Sequence, residues 1–268
     1  MKNQSDLLQQ DALRESVREN YGKIASTNGS CCGPGCCTGV AGTTAATLGY
    51  SADDTANVPE GANLGLGCGN PVALASIKPD ETVLDLGSGA GFDCFLAAKA
   101  TGTSGRIIGV DMTPEMISKA RKNAATGNYT NVEFRLGEIE HLPVADSAID
   151  IIMSNCVINL SPDKRSVIRE AFRVLKSGGR LAISDIIATQ PLPDNIRNDL
   201  ALYSGCMAGA TPIDELKAML AEAGFTRVTV AEKTGSREFI RDWAPGTGVE
   251  KYLASANIEA IKPRTSST

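Results

Sequence analysis

The sequence predicts an α/β protein with a doubly wound, mostly parallel sheet and helices on both faces. Two observations predict it. Short apolar strands alternate with helical segments between Thr82 and Ile187, and a glycine-rich turn directly follows the first strand. Strands that alternate with helices in short units favour a parallel sheet, because each helix returns the chain to the same edge. The 268 residues, 42% of them hydrophobic, suffice for one large domain with additions.

The chain divides into three regions. Residues 1–69 begin with a predicted helix, Asp6–Ile24, whose apolar residues recur at helical spacing. They continue into a stretch rich in Gly, Ser and Thr, Ala25–Gly69, which we interpret as mostly loop. Residues 70–187 carry the alternation of strands and helices, and residues 188–268 are predicted to complete the sheet.

Turn and capping residues set the bounds of the central elements. Asn70-Pro71 is a good N-cap followed by proline, and Thr113-Pro114 begins a later helix in the same way. Ser161-Pro162-Asp163 is predicted to cap another helix, which Ser177-Gly178-Gly179 is predicted to end. The remaining elements, in chain order, are helix Val72–Ile77, strand Thr82–Leu86, helix Phe92–Ala100, strand Arg106–Asp111, the helix from Thr113 to about Ala125, and strands Val132–Leu136, Ile149–Ser154 and Leu181–Ile187.

After the fifth strand, the regular alternation of strands and helices ends. Pro191 and Pro193 are predicted to introduce a helix through Leu200 and Tyr203. The further elements are a helix from a capping box at Thr211–Asp214 to Ala223, ended by Gly224, and two strands, Arg227–Ala231 and Asn257–Ile261. The segment between these strands, which contains Trp243, is an insertion without a predicted structure.

Composition excludes several classes of function. The net charge is −5 and basic residues form no run, which argues against a nucleic-acid partner. No apolar stretch is long enough to span a membrane, and the polar N-terminus does not resemble a secretory signal, so a cytoplasmic protein is expected. Because the cytosol keeps thiols reduced, the eight cysteines favour metal, metalloid or redox chemistry over a disulfide framework.

The turn after the first strand reads Asp85-Leu86-Gly87-Ser88-Gly89-Ala90-Gly91. Glycines let the backbone turn sharply and let a ligand approach closely. A dinucleotide fingerprint would need its third glycine at position 92, where Phe92 stands, and this weakens a pyrophosphate interpretation. An adenosine that carries an amino-acid tail fits instead, since its carboxylate can meet N–H groups at the helix start. The turn therefore predicts binding of S-adenosylmethionine.

A second anchor is Asp111, which ends the second strand twenty positions after Gly91 (111 − 91 = 20). A carboxylate there can accept hydrogen bonds from both ribose hydroxyls. Met112 is predicted to offer an apolar face to adenine, and Glu138 to accept from the adenine amino group. The predicted cofactor-binding residues are therefore Asp85, Gly87, Ser88, Gly89, Asp111, Met112, Glu138, Ile139 and Asn155.

Three cysteines lie far apart in short polar or glycine-rich segments. Cys156 follows the fourth strand, on the edge where open parallel sheets bind ligands, Cys206 follows the fifth, and Cys68 precedes the first helix of the sheet. We therefore expect folding to bring them to one pocket mouth. Soft thiolates select soft elements. A methyl donor next to these thiols indicates methyl transfer to a thiophilic element such as trivalent arsenic.

The predicted mechanism uses the arsenic lone pair. Thiolates replace the hydroxyls or carrier thiols of arsenite, and the lone pair then attacks the sulfonium methyl in line. No general base is needed, because the nucleophile carries no proton. The one histidine, His141, is accordingly interpreted as a polar loop residue.

The turn, Asp111 and the cysteine segments together resemble a known family. Leu-Gly-Leu-Gly-Cys-Gly-Asn-Pro around Cys68, Ser-Asn-Cys-Val-Ile-Asn-Leu-Ser-Pro-Asp-Lys around Cys156 and Ser-Gly-Cys-Met-Ala-Gly-Ala around Cys206 are similar to segments of arsenite methyltransferases, within the Rossmann-like class I methyltransferases. The resemblance implies a seven-stranded sheet with the last strand inserted antiparallel. It also implies methylation of arsenite for detoxification, with thioredoxin or glutathione as reductant. A monomer is expected.

The same resemblance implies roles for the cysteines. Those at 156 and 206 are expected to bind As(III). Cys68 is expected to join the binding, or to form a disulfide during turnover with an N-terminal cysteine. This chain departs from the family pattern there, because four candidates, Cys31, Cys32, Cys36 and Cys37, replace one. Spacing favours Cys32 or Cys37 as the redox partner, but the cluster also fits arsenic recruitment, another soft metal, or an oxidation-prone loop.

Three further expectations remain from the sequence. Cys94 lies among apolar helical residues and is interpreted as a buried core cysteine. The stretch Ala25–Gly69 is expected to close over the site once arsenic binds. Two rival functions are a methyltransferase for a small organic acceptor, with incidental cysteines, and a metalloid sensor that binds arsenite without turnover.

Overall fold

The computed structural model describes residues 4–27 and 45–264. One mixed sheet of eight strands forms its centre. The strands are β1 Thr82–Leu86, β2 Arg106–Asp111, β3 Val132–Leu136, β4 Ile149–Asn155, β5 Leu175–Ala188, β6 Thr211–Pro212, β7 Thr226–Glu232 and β8 Leu253–Ile261. Within the described ranges, no helix has the length and apolar character needed to cross a membrane.

The strand order confirms the predicted doubly wound sheet. It runs β3-β2-β1-β4-β5-β8-β7, and the two-residue β6 pairs with the carboxyl end of β5. The pairs from β3 through β5 are parallel, whereas β8 is antiparallel to both β5 and β7. The last strand is therefore inserted antiparallel, as expected, and β6 is a short addition to the seven predicted strands.

Helices cover both faces of the sheet. Their bounds are α1 Gln4–Thr27, α2 Ala52–Ala56, α3 Pro71–Ala75, α4 Phe92–Thr101, α5 Pro114–Thr126, α6 Lys164–Val174, α7 Asp194–Arg197, α8 Leu200–Ser204, α9 Ile213–Glu222 and α10 Ser236–Trp243, with 3-10 turns at Ile158–Leu160 and Val249–Lys251. Neighbouring strand residues point to opposite faces. Accordingly Leu84 packs in a cluster with α6 and α9, while Val83 packs in another with α4 and α5. The second cluster contains Cys94 at 0% exposure, which confirms it as a core cysteine.

The end predicted for the helix after Asp163 was wrong. The helix ends at Val174, and the predicted stop Ser177-Gly178-Gly179 lies inside β5. Residue Ile149 pairs with Leu175 but Ile151 pairs with Arg180, so the extra residues of β5 form an irregularity next to β4. Glycines at 178 and 179 serve this bulge rather than a helix cap.

Two further predictions beyond β5 need correction. The single helix expected through Leu200 and Tyr203 is two short helices, because the Asp199 side chain accepts hydrogen bonds from two N–H groups and begins a new helix. The capping box expected at Thr211 is absent from this segment. Thr211 pairs in β6, and Pro212 is the N-cap of α9 without a side-chain hydrogen bond.

The N-terminal expectations hold in part. Helix α1 buries Val17, Ile24 and Ala25, but Leu8, one of the apolar residues at helical spacing, is 65% exposed. In the described part of the predicted loop, α2 forms behind a capping box made by Ser51. The unassigned segment before β8 contains α10, which ends at Trp243.

Candidate active site

A pocket opens at the carboxyl edge of the parallel strands. The turn after β1, the end of β2, the segment after β3 and the end of β4 all contribute to its wall, as the rule for open parallel sheets requires. Of the predicted cofactor-binding residues, all but Glu138 line it: Asp85, Gly87, Ser88, Gly89, Asp111, Met112, Ile139 and Asn155.

The glycine turn has room for backbone only. A β-carbon at Gly87, where φ is +69°, would overlap the side chain of Val157. Asp111 holds the turn in place, because its carboxylate accepts hydrogen bonds from Gly89 N at 2.9 Å and from Thr113 N at 2.8 Å. Burial raises the pKa of Asp111, and these N–H groups act in the opposite direction. The acid predicted from the sequence therefore forms part of the pocket wall.

Carboxylates from β1, α4 and the end of β2 face this pocket. Burial raises the pKa of Asp85, with a further contribution from the charge of Asp93, and burial raises the pKa of Asp93 to about 6. Asp111 is the third. Within the described ranges no lysine or arginine forms an ion pair with any of the three. The pocket therefore favours a ligand that carries positive charge.

The Asn155 carboxamide points toward the segment that carries Cys68. Its Oδ1 accepts from Cys68 N at 2.9 Å, and its Nδ2 donates to Gly69 O at 2.8 Å. The same nitrogen donates to Tyr50 Oη at 3.0 Å and to Asp93 at 3.2 Å. Asn155 thus borders the pocket but uses its hydrogen bonds to hold residues 68 and 69, a role that the sequence did not indicate.

The fold gathers the three separated cysteines. Cys68, Cys156 and Cys206 are buried free thiols. The sulfur atoms of Cys68 and Cys156 and a carboxylate oxygen of Asp185 lie within 4.8 Å of one another. The Cys206 thiol donates to the Cys156 carbonyl oxygen at 2.5 Å. Cys156 and Cys206 line the same pocket as the glycine turn.

Two of these cysteines have an unusual backbone conformation. The φ angle is +61° at Cys156 and +63° at Cys206, in the left-handed region that residues with a side chain rarely occupy. Such strain persists where surrounding structure enforces it, and it concentrates at functional sites. A hydrogen bond from Cys156 N to Ser184 O at 2.8 Å enforces it at position 156.

Burial favours the protonated thiols of Cys156 and Cys206 when no ligand is present. Burial raises the pKa of Cys156 well above the usual value. For Cys206 a hydrogen bond from Cys156 lowers the pKa, but burial and the charge of Asp185 outweigh it, so the pKa is raised. A ligand that binds these two sulfurs must therefore displace their protons.

Comparison with known proteins assigns the family. Residues 77–224 match a family model described as a methyltransferase domain. The chain is 54% identical over 263 residues to the arsenite methyltransferase of Halobacterium salinarum, covering 94% of this chain and 67% of that protein. It is 39% identical over 227 residues to that of Aquipseudomonas alcaligenes, covering 82% and 64%. This chain belongs to the arsenite methyltransferase family.

A solved structure agrees with that assignment. The arsenic(III) S-adenosylmethionine methyltransferase of Chlamydomonas reinhardtii matches with a TM-score of 0.61 and 31% identity, over 86% of this chain and 76% of that one. The class I fold and dependence on S-adenosylmethionine follow from this membership. The chain spans 67% and 64% of the two curated arsenite methyltransferases named above.

In this family member, Glu138 has a different environment from the one predicted. Its carboxylate lies 3.7 Å from Arg14 and 3.5 Å from Arg18, and it does not line the pocket. Two positions further on, Glu140 does line the pocket, and it is 4% exposed. It accepts from Ser161 Oγ at 2.7 Å and pairs with Arg14 at 3.2 Å.

Sequence reasoning also missed the contribution of α1. Arg14, Val17 and Tyr21 follow one face of this helix, and all three line the pocket. The helical periodicity predicts ordinary packing for Val17 and Tyr21, and it gives Arg14 no role. Residues 62–67 line the pocket as well, and so does Trp243. The cysteines at 31, 32, 36 and 37 lie outside the described residues.

Proposed function

We propose that this protein methylates arsenite: it transfers methyl groups from S-adenosylmethionine to As(III) held by cysteine sulfurs, and thereby detoxifies arsenic. The observation that carries the proposal is the convergence of three sequence-distant cysteines beside the donor pocket. Cys156 and Cys206 border the pocket, and Cys68 has its sulfur beside that of Cys156. An ordinary organic acceptor has no use for three buried thiols.

The pocket residues fit the donor. S-adenosylmethionine supplies an electrophilic methyl group on a positively charged sulfur when it is bound. The buried carboxylates of Asp85 and Asp93 would face positive charge there, and Asp111 would accept from the ribose. The backbone of the glycine turn would lie against the donor, since Gly87 leaves no room for a side chain.

The cysteines would bind arsenite by exchange. For each one the S–H and As–O bonds break, an S–As bond forms, and the proton leaves with the hydroxyl group as water. Arsenic stays trivalent and keeps its lone pair. Because Cys156 lies at the pocket wall next to Asn155, a metalloid held there would face the donor pocket. Buried sulfur ligands also exclude water from the reacting centre.

A reductant would be needed in turnover. When the lone pair of arsenic forms a bond to carbon, arsenic loses two electrons formally, and a dithiol can return them by forming a disulfide. We propose that Cys68 and Cys32 or Cys37 supply that dithiol and that thioredoxin or glutathione reduces it again. We further propose that the protein acts as a cytoplasmic monomer.

The direct test is to incubate the protein with S-adenosylmethionine, arsenite and a thiol reductant, and to detect methylated arsenic by chromatography and mass spectrometry. Cys156→Ser and Cys206→Ser should each abolish the product while S-adenosylhomocysteine still binds. Cys94→Ser is the matched control, because that cysteine belongs to α4 and is buried in a core cluster. Full activity in either site variant would overturn the thiol site. If the protein binds arsenite but forms no methylated arsenic, the result would support a metalloid sensor instead.

A further inference from the structure

Lys233 follows β7 and lies beside the cysteine cluster. Its Nζ is 2.5 Å from Ser184 Oγ and 3.4 Å from the Cys68 carbonyl oxygen. Burial lowers the pKa of this lysine, whereas negative charge on the sulfurs of Cys68 and Cys156 would raise it. Among the residues that the structure describes, no carboxylate pairs with its ammonium group. A largely buried cation without an acidic partner needs a functional explanation.

A short polar path joins Lys233 to the Cys68 sulfur. The Ser184 hydroxyl, which is 0% exposed, lies 3.8 Å from Cys68 Sγ. The neighbouring residue keeps this path open, because a β-carbon at Gly69 would overlap both Lys233 Nζ and Ser184 Oγ. The Cys68 carbonyl is also fixed by Ser255 Oγ at 2.8 Å, so the cysteine does not depend on the lysine alone for its backbone position.

We propose that Lys233 is a positioning residue that places positive charge next to the Cys68 sulfur through Ser184 and so speeds the loading of arsenic. The inference rests on the proposed function. As the Cys68 thiol loses its proton, negative charge develops on the sulfur; it passes to the departing oxygen when the S–As bond forms and the As–O bond breaks. A fixed cation in a buried site stabilises that charge at the moment when it develops. No electrons are transferred, and the thiol proton leaves in water.

A purely structural tether is the competing explanation, and three substitutions separate the two. Lys233→Gln retains a hydrogen-bond donor but removes the charge, Lys233→Met removes both, and Lys233→Arg retains the charge. Lys217→Met, on the exposed face of α9, is the matched control for loss of one lysine. If the positive charge matters, Lys233→Gln and Lys233→Met should load arsenic equally slowly. Lys233→Arg should retain part of the original loading rate. A tether predicts that Gln resembles the unsubstituted protein.

Arsenic loading can be followed without turnover, because Trp243 is the one tryptophan of the chain and lines the pocket. Stopped-flow quenching of its fluorescence by arsenite gives the loading rate constant. We expect that constant to fall on the order of tenfold in the Gln and Met variants. The affinity for S-adenosylhomocysteine and the thermal unfolding midpoint should stay at the unsubstituted values, which shows that the fold and the donor pocket are intact.

The outcomes keep the two proposals distinct. If the unsubstituted protein shows no arsenite-dependent signal and no sulfur-bound arsenic, the proposed function is overturned. If it loads arsenic and the Gln and Met variants load it equally fast, the role of Lys233 is overturned while the function stands. Slow loading in Met with normal loading in Gln would identify a tether and would likewise overturn the charge role.

Discussion

The Cys206 thiol donates a hydrogen bond to the carbonyl oxygen of Cys156 at 2.5 Å, across fifty positions of sequence. Both residues adopt positive φ angles near +60°. The first follows α8 and the second follows β4, so neither local segment alone explains the contact. Two strained cysteines that meet at a pocket wall indicate a site that the surrounding fold holds in place.

The positive φ angle at Cys206 makes a stability prediction. Alanine normally destabilises a buried position less than glycine does, but the left-handed region favours glycine. We therefore expect Cys206→Gly to be more stable than Cys206→Ala by about 1 kcal/mol. Urea unfolding monitored by circular dichroism measures the difference. The usual order, with alanine more stable, would show that this backbone angle is not kept in solution.

Removal of the Asp111 carboxylate should weaken donor binding. The Asp111→Ala variant leaves Gly89 N and Thr113 N without their acceptor and removes the expected ribose acceptor. We expect a loss of about 1–3 kcal/mol in the free energy of S-adenosylhomocysteine binding. Calorimetric titration measures it, with Asp242→Ala as an exposed control. Unchanged affinity would place the ribose elsewhere, while arsenite binding should persist in either case.

The buried Asp93 predicts a pH dependence of donor binding. Burial raises its pKa to about 6, so the carboxylate is ionised above that pH and protonated below it. A positively charged donor binds the ionised form better, and its affinity should therefore fall as the pH is lowered from 7 to 5. Titrations at several pH values measure the slope, which Asp93→Asn should flatten. A constant affinity across this range would contradict an electrostatic role for Asp93.

The Arg14–Glu140 pair should anchor α1 to the pocket. The two side chains are 12% and 4% exposed, and Arg14→Met would leave Glu140 buried without its cation. We expect a loss of about 3 kcal/mol of unfolding free energy, most of it recovered when Glu140→Gln is added. Thermal and urea unfolding of the single and double variants measure this. Lys23→Met on the same helix is the control, and an equal effect of that change would argue against a specific anchor.

Local sequence patterns were sufficient to predict the central strands of the sheet. Strands β1, β2 and β3 have the bounds that the sequence predicts, because each is a short apolar segment between clear turn residues. The glycines at 178 and 179 were wrongly predicted to end a helix, because a glycine pair occurs both at helix ends and at strand bulges. Which of the two forms depends on the pairing with β4, and that is a tertiary property.

The site was predictable only to the level of topology. Asp111 ends β2 and Cys156 directly follows β4, so their meeting at one edge follows from the strand order. The hydrogen bonds of Asn155 to residue 68, the pairing of Glu138 with α1 and the approach of Lys233 depend on segments whose placement local patterns do not fix. Sequence reasoning therefore predicted which groups meet at the pocket but not the residues that contact them.

The central claim is that sulfur atoms from distant segments bind one arsenic atom beside the methyl donor. Arsenic K-edge X-ray absorption of the arsenite-loaded protein tests it most directly, because oxygen and sulfur neighbours give different absorption signatures. We predict a first shell of sulfur alone, with one sulfur fewer in Cys156→Ser and in Cys206→Ser. An oxygen shell in the unsubstituted protein, or a sulfur count that neither substitution changes, would contradict the account.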